Sequence, residues 1–146
     1  MRSFPCAGRV AIDRPRYLTV WETMEPTLRV LLVEDAPFLR YAFSRLLRMQ
    51  GYDVKEANDG QEALDCLADF RPHLVLTDLM MPVMGGVELI THIRANPETA
   101  HLPVVAITAD ATEQAETLAR RAGAVDVITK PIDLPALLDR LKALVP

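Results

Sequence analysis

Two cysteines, Cys6 and Cys66, are all that this chain of 146 residues contains. They cannot make a disulfide framework, and no Cys/His cluster has zinc spacing. Cys66 falls within a helical pattern and reads as a small core hydrophobe rather than a reactive thiol. No apolar run approaches the length needed to cross a bilayer. Arg9, Asp13, Arg14 and Arg16 interrupt any apolar stretch near the start, which excludes a secretory signal. A cytoplasmic location without membrane attachment is the expectation. Neither G-x-x-x-x-G-K-S/T nor G-x-G-x-x-G occurs, so the two common glycine-rich phosphate cradles are absent. Positive charge is not in excess either. The net charge of −4 argues against nucleic acid as a partner.

What is present is the composition of a soluble globular domain, half hydrophobic and a quarter charged. The length allows one domain with a sizeable core. Charge is uneven. Residues 1–27 hold four arginines against three acids, a surplus of +1, so the remainder carries −5. Pro5, Pro15 and Pro26 punctuate that segment without a clear period, and the single tryptophan, Trp21, lies in it. It reads as a loosely ordered extension or a mis-set translation start, since Met24 opens MEPTLRVLLVED. Residues 28–146 form the domain.

From Leu28 onward strand-like and helix-like segments alternate. Leu28–Val33 is a short apolar run that stops at Glu34-Asp35. Leu39, Ala42, Phe43, Leu46 and Leu47 repeat with helical spacing, closed by Gly51. Tyr52–Ala57 alternates as an edge strand does. Asp59 with Glu62 resembles a capping box opening a second helix, with Ala63, Leu67 and Phe70 inward. His73–Asp78 and Val104–Ile107 are apolar enough for central strands. A Met/Pro/Gly-rich turn and a helix from about Gly86 to Ala95 lie between them. Ala115, Leu118, Ala119 and Ala122 mark a fourth helix whose alanine stripe buries little area, which predicts the least firmly held element. Val125–Thr129 is the fifth strand. Asp133 precedes a last helix with Leu134, Leu137, Leu138, Leu141 and Leu144 inward.

Five strands alternating with five helices predict an α/β, doubly wound parallel sheet of order 2-1-3-4-5, flavodoxin-like, covered on both faces. Ligands of such sheets sit beyond the carboxyl ends of the central strands. Those ends read Glu34-Asp35, Asp78, Thr108-Ala109 and Lys130-Pro131. Three carboxylates, a hydroxyl and an ammonium should therefore converge. Two carboxylates about 4 Å apart repel by roughly 4 kcal/mol at an effective dielectric of 20, so the trio needs a hard dication, Mg2+ above all. Cation and Lys130 together favour a phosphoryl group, with Asp78 as the natural nucleophile and Thr108 as a hydroxyl donor. Taken singly each residue has a bland reading: Glu34-Asp35 as helix capping, Asp78 as a turn residue, Thr108 as a β-former, Lys130 as a solvated loop. Turn chemistry alone does not put all five on one rim.

The stretch Asp78-Leu-Met-Met81-Pro82-Val-Met84-Gly-Gly86, taken with Glu34-Asp35, Thr108-Ala109 and Lys130-Pro131, resembles the receiver domain of bacterial two-component response regulators. The resemblance covers residues 28–146. It implies the receiver fold, with Asp35, Asp78 and the carbonyl of Met80 binding Mg2+ directly and Glu34 through water. It implies a histidine kinase or histidine phosphotransfer protein, or a small acyl phosphate, as donor. It also implies a stand-alone signalling switch: the chain ends at Pro146 after the fifth helix, so output is expected by contact with an unknown downstream protein. Onward transfer to another histidine is the alternative. The family also pairs through helices four and five, but the sequence carries no direct sign of a homodimer.

One departure stands out. The family usually places an aromatic residue three before the lysine, and here that residue is Val127, so readout is expected to rely on backbone and loop shifts around Thr108. Met80, Met81 and Met84 read as packing. His73, His92 and His101 read as scattered surface positions, and Asp110 equally as a surface acid or an influence on dephosphorylation. A Mg2+ phosphohydrolase with an aspartate nucleophile is disfavoured, because its usual acid/base position is Met80. The chain is not expected to be a turnover enzyme.

Overall fold

The computed structural model describes residues 27–144. Five parallel strands alternate with five helices. They are β1 (Arg29–Val33), α1 (Pro37–Met49), β2 (Asp53–Ala57), α2 (Gly60–Phe70), β3 (Leu74–Asp78), α3 (Gly86–Ala95), β4 (Val104–Thr108), α4 (Glu113–Ala122), β5 (Asp126–Thr129) and α5 (Leu134–Leu144). The sheet runs β2-β1-β3-β4-β5, as the alternation predicted. The predicted first, second, third and fifth strands each begin one residue early, and the predicted fourth ends one residue short of Thr108. Of the predicted extension, residues 1–27, all but residue 27 lie outside the described residues.

Period-two alternation sorts the central strands into two cores. Leu31, Val33, Val75, Val104 and Ala106 face α2, α3 and α4, meeting Ala63, Leu67, Leu89, Ile90, Ile93 and Ala119. Val30, Leu32, Leu74, Leu76, Val105 and Ile107 face α1 and α5, meeting Leu47, Leu137 and Leu141. β3 and β4 are buried along their whole length, which is why they read as unbroken apolar runs.

Helix ends follow local chemistry. Asp59 caps α2 by accepting the Glu62 amide at 2.8 Å, and the Glu62 carboxylate accepts the Asn58 amide at 2.6 Å, one residue outside the predicted box. Thr112 caps α4 through the amide of Ala115. The inward face of α1 differs from prediction. Ser44 and Leu47 are its buried residues, whereas Leu39 is 37% exposed. α4 differs too, burying only Ala119 and leaving Leu118 57% exposed. An alanine methyl contributes about 0.8 kcal/mol of burial against 1.5–3 for a leucine. What ties this end down is polar: Arg94 of α3 donates through Nη2 and Nε to the carbonyl of Gly123, at 2.7 and 3.1 Å, just past α4.

Candidate functional site

Strand order reverses between β1 and β3, so the crossovers leave a crevice at their carboxyl ends. Glu34 and Asp35 follow β1, Asp78 ends β3, Thr108 ends β4, and Lys130 follows β5. Carboxylate oxygens of Glu34, Asp35 and Asp78 all lie within 4.8 Å of one another. The Lys130 ammonium reaches across to them, 3.1 Å from Glu34 Oε1 and 3.5 Å from Asp78 Oδ2. Glu34 Oε2 accepts the Ala36 amide, and Asp78 Oδ1 accepts the Met80 amide at 3.3 Å. Thr108 sits one residue past the Asp78–Ile107 pairing, and its carbonyl accepts the Lys130 amide at 2.8 Å. The Lys130–Pro131 peptide is cis.

Burial sets the electrostatics. Glu34, Asp78 and Thr108 are almost wholly covered. Burial pushes the Glu34 carboxyl above its ordinary range, against the Ala36 amide and Lys130, which pull it down. Burial works against the Lys130 ammonium, yet its hydrogen bond to Glu34 and the charge of Asp78 outweigh that and hold its pKa raised. Three carboxylates against one ammonium leave two formal negative charges. The oxygen-only donor set and its excess charge suit a hard divalent cation such as Mg2+.

The Thr108 hydroxyl oxygen accepts the Asp110 amide at 3.0 Å. Asp110 in turn accepts the Thr112 amide, and Thr112 caps α4. A run of side-chain-to-backbone bonds therefore connects the end of β4 with the start of α4. The hydroxyl and amide of Thr112 hold the Asp110 carboxyl below its ordinary range.

Val83, inside the Met/Pro/Gly turn, has φ of +68°, and Met84 N reaches the Pro82 carbonyl at 2.7 Å. That is a γ-turn of positive φ centred on a β-branched residue that is 81% exposed. Such backbone strain costs about 1–3 kcal/mol, against roughly 0.4–1 for the freedom glycine adds to the unfolded chain. Val83→Gly is therefore expected to gain about 1 kcal/mol by urea unfolding. A loss of stability would contradict the strain.

The profile of the response regulator receiver domain matches residues 30–142. The chain belongs to that family. Among curated relatives, the receiver domain is 33% identical to the polar-differentiation response regulator DivK of Brucella anthropi over 114 residues, 78% of this chain and 93% of that protein. It is 38% identical over 117 residues to the response regulator MprA of Mycolicibacterium vanbaalenii, 80% of this chain but half of that one. A probable cyclic di-GMP phosphodiesterase of Vibrio cholerae shares 39% identity over 112 residues, of which the chain spans only a quarter. Among solved structures, the chemotaxis protein CheY4 of Vibrio cholerae superposes with a TM-score of 0.78 at 28% identity, over 82% of this chain and all of that one. No helix among the described residues is long and apolar enough to cross a membrane.

Two features of this receiver domain escaped the sequence. Arg40 donates to the carbonyl of Glu34 at 2.8 Å, a contact that a lone arginine on an amphipathic helix does not announce. The three histidines are not scattered. His73, His92 and His101 line one groove of about 960 Å³ near Arg29 and Arg71, running from the β3 start along α3 to the loop before β4. His73 Nδ1 accepts the Arg29 amide at 2.9 Å, and burial, aided by the Arg29 charge, lowers its pKa. A group with a folded pKa below its unfolded value stabilises above the unfolded value, near 6.5. That stability is lost as pH falls through 6.5 toward the folded value. The urea midpoint should accordingly fall less between pH 7 and pH 5.5 in His73→Gln than in the parent. Equal falls would remove His73 from the acid response.

Proposed function

We propose that this receiver domain works as a phosphorylation-dependent switch, accepting a phosphoryl group on Asp78 in a Mg2+-dependent step. The observation that carries the reading is the packing of three carboxylates within 4.8 Å, with the Lys130 ammonium 3.5 Å from Asp78. Asp35, Asp78 and the carbonyl of Met80 would hold the ion directly, and Glu34 through water. When bound, Mg2+ would supply neutralisation of the equatorial phosphoryl oxygens.

This chain's own groups do the remainder. A carboxylate oxygen of Asp78 attacks phosphorus, and the P–N bond to a donor phosphohistidine breaks. The imidazole leaves with the bonding electron pair and takes up a proton. Lys130, released from Asp78, pairs with a phosphoryl oxygen. The Thr108 hydroxyl, whose oxygen accepts the Asp110 amide, donates its own hydrogen to another. Turning the hydroxyl toward the phosphoryl group loosens the Asp110 bond and, through Thr112, the cap of the weakly buried α4. That route suits a chain with Val127 where an aromatic would otherwise report the change.

The donor is a histidine kinase or phosphotransfer protein, and output is by contact with a downstream protein in the cytoplasm, with pairing through α4 and α5 as one form it can take. Acetyl phosphate with Mg2+, read by intact mass, tests the chemistry. One phosphoryl group gained only with Mg2+ supports the switch. No gain overturns it, and steady turnover of a phosphate ester would point to a hydrolase.

A further inference from the structure

We propose that Arg40 is a positioning residue for the acidic site, holding the peptide that joins Glu34 to Asp35 so that Asp35 faces the cation. The inference rests on the Mg2+ reading given above.

The β1–β2 register runs out at Val33 and Ala57, and the Glu34 amide still reaches the Ala57 carbonyl at 3.0 Å. The Glu34 carbonyl lies beyond the ladder, on a residue only 3% exposed. Its partner among the described residues is Arg40 Nη1, 2.8 Å away, reaching back from the first turn of α1. The same guanidinium is anchored elsewhere. Its Nε lies 3.4 Å from Glu56 Oε1 on β2. Glu56 Oε2 also accepts the buried Ser44 hydroxyl at 2.9 Å and pairs with Arg48 at 3.3 Å. One edge of a rigid fork is thus held by β2 while another grips the backbone between the two acids. An ammonium, a point charge, cannot span both.

The Glu34 carbonyl and the Asp35 amide belong to one planar unit. Fixing the carbonyl fixes the plane that carries the Asp35 nitrogen and Cα, which leaves only φ and the side-chain torsions of Asp35 to set where its carboxylate lies. A covered carbonyl that loses its partner must turn to find another, and Asp35 would turn with it. Arg48 supplies a control within the same network. It shares Glu56 and donates to the Val54 carbonyl at 2.9 Å, and among the described residues it does not bond the end of β1, where Arg40 does.

The test is calorimetric titration of Mg2+ into the unphosphorylated full chain, with urea unfolding beside it, for the parent, Arg40→Ala, Arg40→Lys and Arg48→Ala. Arg40→Ala should weaken Mg2+ about tenfold, the scale set by losing an outer contact of a metal ligand, and lysine should fail to restore it. Arg48→Ala should lower the urea midpoint yet keep the parent Mg2+ affinity. Unchanged affinity in Arg40→Ala overturns the inference, as does an equal loss in Arg48→Ala. Should Arg40→Ala not fold, Arg40→Gln takes its place under the same criteria. A parent chain that binds no Mg2+ would sink the functional reading and this inference with it, whereas unchanged binding in the variant sinks this one alone.

Discussion

Asp78→Asn is expected to gain no phosphoryl group from acetyl phosphate under conditions where the parent chain gains one. Asparagine keeps the shape of the side chain and can still accept the Met80 amide, now at 3.3 Å. It offers no carboxylate oxygen for an acyl phosphate. The fold should survive, and in Mg2+-free buffer the variant should be more stable by about 1 kcal/mol, because one of three mutually repelling carboxylates is gone. Mg2+ should reverse that ranking. A ligand that binds only the folded state stabilises by RT ln(1 + [L]/Kd), which amounts to about 2.7 kcal/mol at a hundredfold excess over Kd. The parent should show that rise in melting temperature, and Asp78→Asn a much smaller one. Phosphorylation of the variant at the parent rate would place the acceptor elsewhere.

Gly86→Ala should destabilise the domain by about 2–3 kcal/mol, lowering the melting temperature by roughly 8–12 °C. Gly86 opens α3 and its amide donates to the Leu79 carbonyl at 3.0 Å. A Cβ there would run into the carbonyl oxygen of Asp78 and stand 2.8 Å from Leu79 Cα. Both obstacles are backbone, so a rotamer change cannot relieve them. Either α3 lifts, exposing Leu89 and Ile90, or the Asp78–Leu79 peptide shifts and takes the Asp78 carboxylate with it. Mg2+ affinity should fall alongside stability. Gly85→Ala is the control, since its Cβ would lie 3.2 Å from a single carbonyl oxygen, and it should cost under about 1 kcal/mol. A Gly86→Ala melting curve that overlays the parent would refute the close approach.

The resemblance drawn from the acceptor turn rested on residue types. The structure supplies a reason for one of them. The last glycine of that motif is needed because α3 begins against the backbone of Asp78 and Leu79, an approach no side chain fits. The strand-end acids were legible for a different reason. In a doubly wound sheet each strand exits at the same edge, so a polar residue closing an apolar run marks the rim whatever the helices do. α1 and α4 were less legible. Leu39 and Leu118 have helical spacing with their neighbours but lie beyond the area the sheet covers, and both are exposed.

Local pattern was enough for the five strands and five helices, their order, and the choice of Glu34, Asp35, Asp78, Thr108 and Lys130 as candidates, because periodicity and strand-end position are properties of short stretches. Only the tertiary structure decided that Lys130 crosses 96 positions to reach Glu34, that Arg40 turns back onto the Glu34 carbonyl, that Val83 takes a positive φ, and that three dispersed histidines share a groove. Those facts depend on which loops meet across the sheet, and burial, not spacing, selects the partner a polar side chain finds there.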